Sequence, residues 1–204
     1  LTPISKSWIS DLSVELTSTA IQVYGGMGYV EETGIAQYFR DARIAPIYAG
    51  TNGIQALDLV FRKIPLDGGK AIGRMFDEME STVFEIEKYE RFVDLSKILK
   101  FHINELKNVT ESLTDSLING DLVDLSGSAT PFLKMFGQVL GGHYMGKALI
   151  KAHTKFEESN KEFYKDKITL SKFYIEQLLP LASGYIDAIK SGDEDLFKIK
   201  SNNF

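Results

Sequence analysis

The sequence predicts an all-α fold, a helical bundle whose antiparallel neighbours are joined by short loops. Three observations support this class. Apolar residues recur every three or four positions over most of the 204 residues, the alternation typical of strands is absent, and glycine or proline separates the helical stretches. A chain of this length can bury a substantial apolar core.

The first third of the chain is predicted to contain two helices joined by a long structured loop. The first helix covers residues 3–23, and the loop at 25–50 contains one or two short helical turns. The second helix begins at Thr51 or Asn52, residue types that often cap helices, and runs to about residue 64.

Pro65 and the glycine pair at 68–69 mark the predicted boundary between two domains. Residues 1–66 form the first domain, and residues 70–204 form a C-terminal helical extension. Both are predicted to be entirely helical, because neither contains a stretch with the two-residue period of a strand.

The extension is predicted to contain one helical region near its start and another near its end. Apolar spacing over 72–118 indicates one long helix, or two helices with a break near Asp94. The last region, 166–191, contains Pro180, which should kink or break it because proline lacks the N–H that a helix interior needs.

Between these regions a further helix is predicted to start with Ser128 or Thr130 as its cap, with Pro131 in its first turn, and to end near Ser159. Its glycines lie inside the helical pattern, whereas a phosphate-binding loop would place them between elements. They therefore predict close contact between helix backbones. These residues are Gly137, Gly141, Gly142 and Gly146.

The composition limits the classes of site and partner. No cysteine is present, which excludes disulfides, thiolate nucleophiles and cysteine-ligated metals and agrees with a reducing compartment, the cytoplasm or the mitochondrial matrix of a eukaryote. A net charge of −5 without a lysine or arginine cluster argues against a nucleic-acid partner. No apolar run is long enough for a membrane span. The chain begins with Leu1 in a helix start, without methionine or a signal peptide, so we expect a piece of a longer protein.

The remaining ionisable residues do not predict a metal site or a catalytic centre. The acidic run 77–90 alternates with apolar residues at helical period, which is typical of a solvated face. The histidines are far apart in sequence, so we expect surface or helix-face residues rather than metal ligands. They are His102, His143 and His153.

The stretch from residue 22 to residue 55 offers two turns whose backbone a ligand can approach. Gly25 and Gly26 carry no side chain, and the turn at 50–52 opens a helix whose first N–H groups favour an anion. A packed loop whose glycines only form turns fits the same pattern, and residue types alone leave both interpretations open. Between the turns an ion-pair network is predicted at Arg40, Asp41 and Arg43.

This stretch resembles the C-terminal helical domain of the acyl-CoA dehydrogenases, flavoenzymes that remove two hydrogens from the α and β carbons of an acyl-CoA. Its motifs match the family in order and spacing, and TNGIQA with the extension after it is similar to the branch of methylthiopropionyl-CoA dehydrogenase. The motifs are Gln22, Gly25-Gly26-Met27-Gly28-Tyr29, Arg40-Asp41-Ala42-Arg43, Ile47-Tyr48-Ala49-Gly50-Thr51 and Ile54-Gln55.

The resemblance implies FAD as the cofactor of the full-length protein. It places Gln22, Gly25 and Gly26 against the adenosine and pyrophosphate of a neighbouring subunit's FAD, which implies a homo-oligomer. Thr51 would lie near the flavin or its phosphates. Gly53 stands where the family often has a polar FAD contact, so any contact there must use the backbone.

The resemblance also implies an acyl-CoA substrate, an electron-accepting flavoprotein as a partner and a role in fatty acid metabolism. Tyr48 and Gly50 would border the acyl thioester. Much of the family has the glutamate that takes the α-proton where this chain has Ala49, so the resemblance assigns no catalytic residue here.

Three explanations of Ala49 stay open at this stage. The base lies on a helix before Leu1, as in the isovaleryl-CoA dehydrogenase branch; the protein has lost dehydrogenation but kept ligand binding; or the alanine is an engineered change. A different class of function also stays open, in which residues 70–204 form a non-catalytic helical module for oligomerisation or interaction.

Overall fold

Helices joined by short turns make up the part of the chain that the structure, a computed structural model, describes: residues 1–192 and residue 198. No β-strand occurs in this part, which confirms the all-α class, and none of its helices is long and apolar enough to cross a membrane. The helices are α1 (Thr2–Val23), α2 (Gly26–Tyr29), α3 (Ile35–Ile44), α4 (Asn52–Asp58), α5 (Lys70–Glu87), α6 (Val93–Asn119), α7 (Leu122–Ser159), α8 (Glu162–Phe173) and α9 (Ile186–Ser191).

The helices of the first third agree with the prediction from the sequence, with one exception. α1 covers the predicted span, and α2 is a short helical turn in the predicted loop, but α3 is a full helix of ten residues where only short turns were predicted. α4 begins at Asn52, because the Thr51 hydroxyl oxygen accepts a hydrogen bond from the N–H of Ile54 at 3.4 Å and so caps the helix. α4 then passes into a π turn at Leu59–Lys63.

The breaks in the extension lie close to the predicted positions. α5 ends at Glu87 and α6 begins at Val93, with a 3-10 turn over Glu90–Phe92 in the gap predicted near residue 94. The last helical region begins at Glu162 and is interrupted by a π turn and by a 3-10 segment, Leu179–Tyr185, which contains Pro180. The interruption agrees with the missing N–H of this proline.

The predicted start of the third helix of the extension is wrong. α7 begins at Leu122, so Pro131 lies in its interior instead of its first turn. Ser128 does not cap the helix, because its hydroxyl donates hydrogen bonds to the carbonyls of Asp124 and Ile189, at 3.1 and 2.6 Å. Leu125 is fully buried nearly two turns before the proline, and such burial offsets the missing backbone hydrogen bond.

α7 runs through the middle of the fold and contacts α1, α4, α5, α6, α8 and α9. Its glycines lie where other elements come closest: Gly137 faces the ring of Trp8, and Gly141 faces Tyr174. The prediction of close helix contact is therefore confirmed. One continuous apolar cluster includes residues of α1 and α4 together with residues of the extension.

The acidic run of α5 lies at the surface, as predicted. Glu78 pairs with Lys147 of α7 at 2.6 Å, and Glu80 pairs with Lys107 of α6. Both carboxylates are partly exposed, so these pairs add little to stability, but they join α5 to its two neighbours in the bundle.

The histidines lie on helix faces, one of the two kinds of position predicted for them, and they are buried rather than at the surface. Relative exposure is 4% for His102, 0% for His143 and 4% for His153. Each lies on the inner face of a long helix, and the His102 ring contacts Glu105 and Ser183 through Nδ1. Within the described residues no group of three or more histidine or carboxylate side chains could hold a metal ion.

We expect the free energy of unfolding to fall as the pH drops below the ordinary histidine pKa of 6.5. Burial, with a further contribution from Lys147, lowers the pKa of His143, whose ring nitrogens both lack a hydrogen-bond partner. The nearest carboxylate, an oxygen of Glu78, is 3.8 Å from Nε2. The unfolded chain therefore takes up a proton that the folded ring does not bind, and this stability is fully present only above pH 6.5.

Thermal unfolding followed against pH checks this expectation. His143→Leu removes the proton uptake at this position and should give a flatter profile than the unchanged protein. Burial also lowers the pKa of His102, so the stability of both proteins keeps some dependence on pH. Parallel profiles for the two proteins would show that His143 does not titrate as we describe.

Candidate functional site

The turn at residues 46–52, which joins α3 to α4, is held in an unusual backbone conformation. Ala49 has φ of 55°, in the left-handed region that residues with a Cβ rarely adopt, and Gly50 follows with φ of 79°. The N–H of Asn52 donates to the carbonyl of Pro46 at 3.1 Å and closes the turn. An alanine in this region costs about 1 kcal/mol, so surrounding contacts must hold the conformation.

Lys6 of α1 provides the first of these contacts. Its ammonium donates to the carbonyl of Gly50 at 2.7 Å, to Oδ1 of Asn52 at 2.8 Å and to the carbonyl of Pro46 at 3.3 Å. On the other side of the turn, Nε2 of Gln55 donates to the carbonyl of Ala49 at 3.2 Å. The carbonyls of residues 49 and 50 are therefore both bound by side chains.

The side chain of Asn52 fastens the turn to α1. Its Nδ2 lies 2.6 Å from Oδ1 of Asp11, 3.0 Å from Oγ of Ser10 and 3.1 Å from the carbonyl of Ser7. The sequence analysis did not single out Lys6 or Asp11. A signal was present, since residues 6, 7, 10 and 11 form a polar patch on one face of a helix that is otherwise mostly apolar there.

The outer side of the turn presents backbone N–H groups. No described residue accepts a hydrogen bond from the N–H of Ala49, Gly50 or Thr51, and these residues are exposed together with Tyr48. Successive free N–H groups of this kind form a concave site for an oxygen that carries partial negative charge. The turn therefore combines a fixed carbonyl side with an open donor side.

The helix that follows offers fewer donors than the sequence suggested. The N–H groups of Asn52, Ile54 and Gln55 are bound by Pro46 or Thr51. Gly53 keeps an N–H without an acceptor in the described residues, and its lack of a side chain leaves this group accessible. The predicted use of several helix N–H groups for an anion is thus reduced to one.

The turn at Gly25 and Gly26 lies at the far end of α1. Gly25 has φ of 62°, and a Cβ placed on either glycine would meet no atom within 4 Å. Gln22 is exposed on the last turn of α1. With 1.5 Å of rise per residue, the length of helix between Asp11 and Val23 puts the two turns roughly 20 Å apart. The structure therefore separates the predicted FAD residues into two groups.

The ion-pair network predicted at Arg40, Asp41 and Arg43 is not formed. Arg40 instead donates two hydrogen bonds of 2.8 Å to the carboxylate of Glu31. This hydrogen bonding and the charge of Glu31 raise the pKa of Arg40. Both partners are exposed, so the pair ties α3 to the preceding turn without forming a buried charge site.

Comparison with known proteins decides the family. The model of the "Acetyl-CoA dehydrogenase C-terminal like" family matches residues 75–200, and that of the "Acyl-CoA dehydrogenase, C-terminal domain" family matches residues 1–63. The chain belongs to the acyl-CoA dehydrogenase family. The family resemblance inferred from the motifs between Gln22 and Gln55 is thereby confirmed.

Individual members of the acyl-CoA dehydrogenase family are similar along most of the chain. The 3-methylmercaptopropionyl-CoA dehydrogenase of Ruegeria pomeroyi is 32% identical over 183 residues, which cover 88% of this chain and 31% of that protein. A broad-specificity linear acyl-CoA dehydrogenase of Mycobacterium tuberculosis is 24% identical over 211 residues, 99% of this chain and 34% of that protein. A butyryl-CoA dehydrogenase of Syntrophomonas wolfei is 28% identical over 210 residues, with the same coverage. The chain thus spans about a third of the length of these relatives.

Proposed function

We propose that this chain is the C-terminal part of an FAD-dependent acyl-CoA dehydrogenase, which forms a double bond between the α and β carbons of an acyl-CoA thioester. The observation that carries the proposal is the 46–52 turn, whose left-handed backbone and outward N–H groups stand within the family's matched C-terminal domain. The relatives named above are acyl-CoA dehydrogenases by name.

The residues present fit FAD at both turns. At the end of α1, the open backbone of Gly25 and Gly26 and the exposed amide of Gln22 suit the adenosine and pyrophosphate of a neighbouring subunit's FAD. At the start of α4, the free N–H of Gly53 and the exposed Thr51 suit the flavin or its phosphates. Because the two turns are far apart, this assignment requires a homo-oligomer. When bound, FAD supplies the acceptor for the hydride that leaves the β carbon.

In the proposed reaction the turn binds the thioester. The N–H groups of Ala49 and Gly50 donate to the thioester carbonyl oxygen, and Tyr48 covers the acyl chain beside it. Hydrogen bonds to this oxygen stabilise the negative charge that develops as the α-proton leaves. A methyl group accepts no proton, so in the unchanged protein the α-proton would pass to water or to a base other than residue 49. We propose an electron-accepting flavoprotein as the partner of the FAD-loaded protein.

FAD content tests this proposal. We expect the chain of residues 1–204 to retain little or no flavin after dialysis, because it spans only about a third of its relatives. A protein that joins it to the segments the relatives have in addition should retain about one FAD per chain. Stoichiometric flavin on the short chain, or none on the longer protein, would contradict the proposal.

The exposed apolar residues of α8 favour a second candidate function. Phe163, Leu170 and Phe173 lie on one face of the helix and are 61%, 49% and 52% exposed. Such a stripe is typical of an unpartnered helix face, so the extension would act as an oligomerisation or interaction module. Sedimentation that shows a monomer well above micromolar concentration would contradict self-association through this face.

A further inference from the structure

Lys6 lies where three oxygen atoms of the 46–52 turn converge. An ammonium group has three N–H donors, and this one has three acceptors within hydrogen-bond distance: the carbonyls of Pro46 and Gly50 and Oδ1 of Asn52. Hydrogen bonds from a charged donor are stronger than neutral ones. Lys6 thus uses its full donor capacity on the turn, although its acceptors lie 40, 44 and 46 residues away in sequence.

These contacts also fix the direction of the N–H groups on the outer side. Every peptide bond in the described residues is trans, so a carbonyl and the N–H that follows it point in opposite directions. Because Lys6 binds the carbonyl of Gly50, the N–H of Thr51 points away from α1. Because Gln55 of α4 binds the carbonyl of Ala49, the N–H of Gly50 points away from this side chain.

We propose that Lys6 and Asn52 are positioning residues for the acyl thioester. This inference rests on the proposed function for its substrate but on the observed contacts for its mechanism. Lys6 holds the carbonyl of Gly50, Asn52 fastens the turn to Asp11 of α1, and the backbone that carries the N–H groups of residues 49–51 is thereby held in one conformation. Neither side chain touches the substrate.

Removing the ammonium should loosen the turn without unfolding the bundle. In Lys6→Met the three oxygens face one another without a cation, so they repel and the strained left-handed conformation of Ala49 relaxes. The apolar part of the side chain is kept, and Lys6 is only partly buried. Lys6→Arg retains a charged donor and should restore part of the effect.

The first readout is hydrogen exchange of the 44–55 peptide in the chain of residues 1–204, which requires neither FAD nor substrate. We expect exchange about tenfold faster in Lys6→Met than in the unchanged chain, with exchange in α5–α7 unaltered. Lys6→Arg should lie between the two. Lys100→Met, which replaces an exposed lysine of α6, serves as the matched control and should leave the peptide unchanged.

The second readout is steady-state turnover of an acyl-CoA by the longer, FAD-loaded protein. We expect Lys6→Met to lower kcat by about 10- to 100-fold while KM changes little, because misaimed donors affect charge development more than binding. Asn52→Ala should act in the same direction and serves as the second variant if Lys6→Met does not fold.

The outcomes separate this inference from the proposed function. Unchanged exchange of the 44–55 peptide in both variants overturns the positioning role, whatever the activity. Faster exchange with unchanged kcat also overturns it, because the turn is then held by Lys6 for stability alone. If the FAD-loaded protein oxidises no acyl-CoA even with Ala49→Glu, the proposed function and the positioning role for its substrate both fail, while the exchange data still show whether Lys6 holds the turn.

Discussion

Replacing Gly137 with alanine should lower the free energy of unfolding by about 1–3 kcal/mol. A Cβ at this position would stand 2.4 Å from Cγ of Trp8 and 2.7 Å from two neighbouring ring atoms. The indole is rigid and stands between α1 and α7, so it cannot bend away as the end of a flexible chain would. Relief requires the two helices to separate.

A second glycine provides the control for this prediction. Gly73 of α5 has no atom within 4 Å of a built Cβ, and Gly73→Ala should stabilise the protein by about 0.5–1 kcal/mol, because alanine is the better helix former. Urea unfolding of both variants gives the comparison. Equal midpoints for Gly137→Ala and the unchanged chain would mean that α1 does not dock on α7 through Trp8.

Replacing Ala49 with glutamate should supply a proton acceptor at the thioester. We expect flavin reduction by an acyl-CoA in the longer, FAD-loaded protein to be about 10²- to 10⁴-fold faster in Ala49→Glu than in Ala49→Gln. Glutamine matches glutamate in size and in the cost of the left-handed backbone, but it does not act as a base. The comparison therefore isolates the carboxylate from the change in volume.

Other outcomes of this comparison also have a physical meaning. Rapid reduction in both variants contradicts the expected gain and locates the base elsewhere in the protein. Slow reduction in both, with FAD bound, contradicts the role of the turn, because a carboxylate at residue 49 would then have no α-proton within reach. A gain for Ala49→Glu alone shows that the missing base was the principal loss.

The helices were predicted correctly from the sequence where the local sequence pattern and the tertiary contacts favour the same helix bounds. α1 has a proline in its first turn and glycines after its end, α4 has the Thr51 cap, and the glycines of α7 already indicated a close helix contact. The start of α7 was not predicted correctly, because a proline such as Pro131 is typical of a first turn. Burial of Leu125 and its neighbours instead extends the helix to Leu122, nine residues before the proline.

The sequence predicted the turn of the candidate site but not the side chains that hold it. The motifs identified the residues of the 46–52 turn, because the roles of glycine and threonine there are local. Gly50 allows a positive φ, and Thr51 caps the helix that follows. Contacts that hold the turn come from Lys6 and Asp11, more than forty residues before Gly50 and Asn52, and the polar patch that they form on α1 does not indicate which turn it contacts. The buried histidines were missed for the same reason, since burial depends on which helices surround them.

Titration of the longer, FAD-loaded protein with acyl-CoA thioesters tests the central claim most directly, namely that the 46–52 turn belongs to an acyl-CoA and flavin site. The account predicts a saturable change in the visible absorption band of the flavin, since the thioester bound at Ala49 and Gly50 lies against the ring. A flavin spectrum that stays constant through the whole titration, with short and long acyl chains alike, would contradict it.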